Sequence, residues 1–105
     1  MYLLDTNVVS ELRKVRSGKA DRNVPVWADS VHAGDLHLSV ISLQELEIGI
    51  LRAHRSAHPH VPDPRPIRDC LIAATALVHG LVVVTQSAAD FEPTGVQILN
   101  PWDGN

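Results

Sequence analysis

The chain has 105 residues, 45% of them hydrophobic, and a formal net charge of -3; that is enough for one core and one domain over 1–105, too little for a second domain, and no global positive field to hold a polyanion. Cys70 is the only cysteine, which excludes an intrachain disulfide framework and a cysteine-built zinc cage. No basic leader opens the sequence and no apolar run approaches a membrane span, so we expect a cytoplasmic protein with no membrane partner.

Tyr2, Leu3 and Leu4 are apolar without polar alternation, the pattern of a parallel strand buried on both faces. Val8, Val9 and Leu12 then recur at helical spacing and predict a helix over 7–14, with Asn7 or Thr6 as cap and Arg13 and Lys14 in the last turn. Asp5 thus falls where strand hands over to helix, at the carboxyl edge where open α/β sheets bind ligands. Aspartate there also caps helices, and position alone leaves both roles open. Arg13, Lys14, Arg16, Lys19 and Arg22 gather five of the nine basic residues into one segment, which reads as a local patch or as a solvated helix end.

Val24, Trp27 and Val31, with Pro25 in the first turn, predict a helix over 23–33. Gly34-Asp35 is turn chemistry, and Leu36, Leu38, Val40 and Ile41 read as a second strand ended by Ser42. A helix over 43–55 follows, with Leu43, Leu46, Ile50 and Leu51 on one face. Ser42 and Glu45 have the spacing of a capping box, which by itself accounts for Glu45. Pro59, Pro62, Pro64 and Pro66 make 56–66 an extended connector. His54, His58 and His60 beside it have a spacing that zinc sites also use. Residues 67–79 predict a helix stopped by Gly80, its Ala73, Ala74 and Ala76 allowing close approach to a sheet. Leu81 to Val84 is a β-branched buried strand, 85–91 a loop, 96–99 a last strand, and Asn100-Pro101-Trp102 the start of a polar tail.

Alternating strands and helices imply a parallel sheet whose helices begin at the carboxyl edge. Asp5, Glu45, Asp69 and Asp90 all fall at that edge and converge on one crevice if the first strand is central. Carboxylates crowded together repel unless a cation sits among them. Hard oxygen donors select Mg2+ or Mn2+, and a metal-activated water attacking a phosphodiester is the chemistry such a crevice supports.

The opening LLDTNVVSEL, the segment ISLQELEIGI, and RDCLIAATALVHGLVVVTQSAADF with its closing ILNPW resemble the PIN-domain toxins of toxin-antitoxin pairs, the VapC and Fit types, over most of the chain. The resemblance implies a three-layer α/β fold with a parallel sheet of about four strands, ordered 2-1-3-4 and flanked by helices. It implies a magnesium-dependent ribonuclease, with RNA as substrate and a cognate antitoxin as partner. Asp5, Glu45 and Asp69 fall on the family's three acidic metal positions, and Thr6 on the supporting hydroxyl position. The family commonly has Arg-Asn or Arg-Asp after the threonine of the third motif, where Gln86 and Ser87 stand here, so Asp90 becomes the candidate fourth ligand and Ser87 a supporting group. Arg13, Lys14 and Arg16 are the candidate RNA contacts. The family also has several tens of residues between the Glu45 and Asp69 helices that this chain lacks. Closure remains feasible, since a helix of this length spans about 20 Å and eleven extended residues reach about 36 Å. Loss of that covering segment leaves the second strand as an edge, and a homodimer is the expected remedy. The alternative reading is a catalytically silent remnant that at most binds RNA or a partner protein.

Overall fold

The computed structural model describes residues 1–53 and 65–103, with side-chain surroundings over 1–48 and 67–103. Four strands, β1 (Tyr2–Leu4), β2 (Leu36–Leu38), β3 (Val82–Val84) and β4 (Ile98–Leu99), form one sheet in the order β2-β1-β3-β4. Every pairing is parallel, with Leu3 opposite both His37 and Val83, and Val84 opposite both Leu4 and Leu99. The expected topology is therefore the observed one, with β1 and β3 at the centre.

Side chains alternate across a strand, and that period sorts the core into two layers. Leu3 and Val83 point to one face, where Ile72, Ala73, Ala76, Phe91 and Val96 cover them. Leu4 and Val84 point to the other, covered by Val8 and Val24, with Trp27, Leu36, Leu38 and Trp102 packed around them. Helix α1 (Thr6–Arg13) and helix α2 (Asn23–Ser30) supply the second layer; α4 (Arg65–His79) and the four-residue α5 (Ala88–Phe91) supply the first. Tyr2 and Trp27 meet edge to face, ring centroids 5.4 Å apart at 89°. Gly80 ends α4 as the sequence leads one to expect: its φ of 66° is left-handed, and the Leu81 N–H returns to the Ala76 carbonyl at 2.9 Å.

Several boundaries move, each for a local reason. Helix α3 runs Val40–Ala53, so Val40 and Ile41 leave the strand and join the helix. The Ser39 hydroxyl accepts from the Ile41 and Ser42 N–H groups at 3.0 and 3.3 Å, and Ser39 rather than Ser42 is the cap. The Ser42–Glu45 capping box is thereby corrected: Ser42 is buried within the first turn, its Oγ without a partner. With the register shifted, Leu43 turns out to solvent. Asp5, not Asn7 or Thr6, caps α1. Helix α2 stops at Ser30 because Val31 is extended, and a 3-10 turn (Ala33–Asp35) fills the gap to β2. The loop after β3 contains α5, and the tail begins as a 3-10 turn (Pro101–Asp103) whose Trp102 carbonyl accepts from the Asn23 side chain at 2.8 Å. Of the three alanines of α4, Ala73 and Ala76 face the sheet and Ala74 is exposed. Pro66 lies in the first turn of α4, where its missing N–H is harmless, so the helix begins at Arg65 rather than at Ile67. Most of the proline-rich connector, with His54, His58 and His60, lies outside the described residues.

Candidate active site

Asp5 is placed by the sheet itself. Its N–H donates to the Val84 carbonyl at 2.9 Å, continuing the β1–β3 ladder one residue past the strand, while the Thr85 N–H does the same to Leu99 at 3.0 Å. Two neighbouring strands therefore deliver Asp5 and Thr85 side by side at the carboxyl edge. The Thr85 hydroxyl donates to Asp5 Oδ2 at 2.8 Å and the Thr6 N–H to Oδ1 at 2.7 Å. Asp5 is completely buried, so a carboxylate is being held there by donors aimed at it. The cap and the site are not alternatives: Oδ1 serves the helix end and also accepts from Arg68.

Glu45 reaches the same place from α3. Its Oε1 accepts from the Thr6 hydroxyl at 3.3 Å and from Arg68 Nη1 at 2.9 Å. The same Nη1 lies 3.1 Å from Asp5 Oδ1, and Arg68 Nη2 lies 2.8 Å from Asp69 Oδ1. One guanidinium thus bridges the three carboxylates that the sequence brings to this edge. The Asp69 contact is short without being an aligned hydrogen bond, since Asp69 Oδ1 and Arg68 Nε both lack one. We read it as charge attraction rather than as a fork.

The electrostatics follow. Burial pushes the Asp69 carboxyl above its ordinary value, Arg68 pulls it back, and the fields of Asp5, Asp90 and Glu45 raise it again. Burial alone would lower the Arg68 guanidinium, but the Asp5, Glu45 and Asp69 carboxylates outweigh it and hold the group more firmly charged than usual. A crevice of acids at this density needs a cation, and in this arrangement an arginine is that cation.

The donor set suits a divalent ion in kind: three carboxylates, hard oxygens, one of them with a buried oxygen that no hydrogen bond satisfies. As the side chains stand, no three acidic or histidine groups among the described residues close on one point as an ion would need. The guanidinium stands between them.

Other candidates fall into place around this centre. Asn7 donates to Thr85 Oγ1 at 3.3 Å and to Ser87 Oγ at 3.4 Å, while its own carbonyl accepts from the Gln86 N–H at 3.3 Å. Ser87 therefore touches the site only through Asn7 and Thr85, in an uncharged network. Asp90 is exposed on α5 and reaches Asp69 through its field, with no hydrogen bond into the site. Arg13, Lys14 and Arg16 are exposed at the end of α1 and the turn after it. Lys14 pairs with Glu11 at 3.2 Å, and the Asp21 N–H donates to the same Glu11 carboxylate at 2.8 Å, which ties the basic loop down and lowers the Glu11 pKa.

Sequence reasoning missed Arg68, Thr85 and Asn7. Consecutive helical residues diverge by about 100°, so the adjacency of Arg68 and Asp69 gives no hint that both face one crevice. Thr85 was legible in principle, as the polar residue that ends a buried strand beside the central one.

The chain is 30% identical to a VapC ribonuclease of Sinorhizobium fredii over an alignment of 141 residues, covering 98% of this chain and 99% of the relative. It belongs to the family of PIN-domain toxins. A second relative of the family, toxin FitB of Neisseria gonorrhoeae, is 29% identical over 97% of this chain and 99% of its own length. Among solved structures, a chain of FitAB bound to a DNA fragment superposes with a TM-score of 0.73 at 25% identity, covering 97% of this chain and 96% of that one. FitAcB from Neisseria gonorrhoeae gives a TM-score of 0.72 at 26% identity, covering 97% and 99%. No family model matches the chain. An alignment of 141 residues against a chain of 105 means that the PIN-domain relative carries several tens of residues with no counterpart here.

Proposed function

We propose that this PIN-domain chain is a magnesium-dependent endoribonuclease toxin of a toxin-antitoxin pair. The observation that carries the reading is the convergence of Asp5, Glu45 and Asp69 on a single positive group at the carboxyl edge of the sheet. Relatives named as ribonucleases support the substrate class. When bound there, Mg2+ or Mn2+ would activate a water for attack on an RNA phosphodiester and neutralise charge on the phosphate. The chain's own residues do the positioning. Thr85 and the Thr6 N–H fix the two oxygens of Asp5, and the Thr6 hydroxyl fixes Glu45 relative to it. Asp69 completes the acidic set, and Asp90 adds negative charge at its rim. Arg13, Lys14 and Arg16 are the basic groups set to hold the RNA backbone.

Incubation of the purified chain with RNA in magnesium or manganese, against chelator, tests the reading: we expect cleavage only with the ion. Replacing Arg13, Lys14 and Arg16 with alanine should weaken RNA binding about evenly across sequences and flatten its salt dependence, each lost phosphate contact reducing the slope by about 1. The uncharged Asn7–Thr85–Ser87 network, at a position where the family carries charge, favours the silent remnant instead. RNA binding that survives without cleavage in either ion would select that second reading.

The FitB relative is solved in structures named FitAB and FitAcB, one of them on DNA, and by extension we assign this chain a cognate antitoxin. No helix among the described residues is long and apolar enough to cross a membrane, and a cytoplasmic toxin fits that. The homodimer belongs to the proposal as well. Ile67, Leu71 and Val78 lie along one stripe of α4, all at least half exposed, and Val40, Leu43 and Ile48 are exposed on α3. Apolar surface gathered in this way favours association. We expect light scattering at tens of micromolar to give twice the monomer mass, and Leu71→Lys to return it to the monomer value. A wild-type monomer under those conditions would remove the dimer.

A further inference from the structure

We propose that Arg68 is a built-in counter-ion that competes with a divalent cation for the carboxylates of Asp5, Glu45 and Asp69, so that an ion enters only as the guanidinium withdraws. This rests on the reading of those three acids as a cation site.

Three observations support competition rather than cooperation. The guanidinium occupies the common centre of the acids, Nη1 touching Asp5 and Glu45 at 3.1 and 2.9 Å and Nη2 touching Asp69 at 2.8 Å. A second cation cannot share that centre, because like charges in contact repel and the same oxygen lone pairs serve both. The arginine is also only partly satisfied: Nη1 donates to Asp5 and Glu45, but Nε is buried without an acceptor, and the Asp69 contact is not an aligned hydrogen bond. A permanent structural ion pair usually engages the planar fork bidentately and satisfies its nitrogens. Finally, Arg68 belongs to neither hydrophobic cluster and its side chain keeps 12% exposure, so it has a way to solvent that leaves the core packed. The device keeps the acids neutralised, and the fold intact, when the ion is scarce. It also raises the ion concentration needed to fill the site above what the acids alone would require.

The test is manganese calorimetry together with thermal denaturation on wild type, Arg68→Met and Arg68→Lys. Methionine keeps much of the apolar stem and deletes the charge; lysine keeps the charge as a point that cannot bridge three acids at once. We expect Arg68→Met to melt lower in chelator, to bind manganese at least about tenfold more tightly, and to show a larger ion-induced rise in midpoint. Arg68→Lys should fall between it and wild type in affinity. Equal or weaker manganese binding by Arg68→Met would overturn the counter-ion role while leaving the cation site standing. Manganese binding by none of the three proteins would overturn both. If the methionine variant does not fold, the lysine variant decides: affinity above wild type supports the proposal, and affinity at or below it overturns it.

Discussion

On the proposed nuclease function, Asp5→Asn should abolish ion-dependent RNA cleavage, by about a hundredfold or more, and should remove the rise in midpoint expected of the wild type in magnesium. The substitution keeps the size of the side chain and one carbonyl oxygen. That oxygen can still accept from the Thr6 N–H, now 2.7 Å from Oδ1, so the start of α1 stays capped. The other position changes from acceptor to donor. Thr85 Oγ1 donates to Oδ2 at 2.8 Å and already accepts from the Asn7 side chain and the Ser87 N–H, so a new donor there meets an oxygen whose lone pairs are in use. One buried hydrogen bond is lost and Arg68 loses one of its acids, which together cost about 1–3 kcal/mol. Relief of repulsion among the carboxylates offsets part of this. Because Thr85 and Arg68 both hold Asp5, the variant should be less stable than the wild type even though repulsion among the acids falls. Thermal melts in chelator and in millimolar magnesium report both effects, since an ion bound only by the folded state raises the midpoint by mass action. If the variant keeps the magnesium-dependent rise of the wild type, Asp5 does not hold the ion and the nuclease proposal falls.

How far the molecule could be read from its residues is best judged at β2 and α3. Leu36 to Ile41 alternates well enough for a strand, and Ser42 with Glu45 satisfies a capping pattern, so local rules agreed with each other and were wrong by three residues. What decides is non-local: β1 offers only Tyr2–Leu4 to pair with, so β2 needs three residues and Ser39 is free to cap. The same shift is what frees Glu45 from the cap and turns it towards Thr6 and Arg68. Asp5 was legible because strand and helix periodicities change sharply on either side of it. Arg68 was not, because nothing in a linear pattern says that a side chain on the first turn of a helix folds back across the acid beside it. The parallel sheet was legible in the alternation of strands and helices, the layers and the order 2-1-3-4 in the family resemblance, and the Val82–Val84 run left no other place for β3.

Phe91→Ala should be the most destabilising single change in the domain, at about 3–5 kcal/mol. Phe91 is fully buried against Leu3, Ile72, Ala73, Ala76, Val83 and Val96, and is the largest side chain in that layer. The loss is large against the total stability of about 5–15 kcal/mol typical of single domains, and a short chain lies towards the lower end. The effect extends beyond packing, because α5 has only four residues, its Ser87 cap makes no side-chain bond, and the Asp90 N–H to Ser87 carbonyl link at 3.0 Å is a single turn's worth of hydrogen bonding. Helices that short have no intrinsic stability. Phe91 is thus the anchor of α5, whereas Thr85 to Ser87 are tied to Leu99, Asn7 and Asn100. Phe91→Leu, which keeps most of the volume, should cost about 1.5 kcal/mol or less. Urea denaturation of the three proteins gives the comparison directly. If Phe91→Ala costs less than Phe91→Leu is expected to cost, the segment is held by its backbone rather than by its anchor.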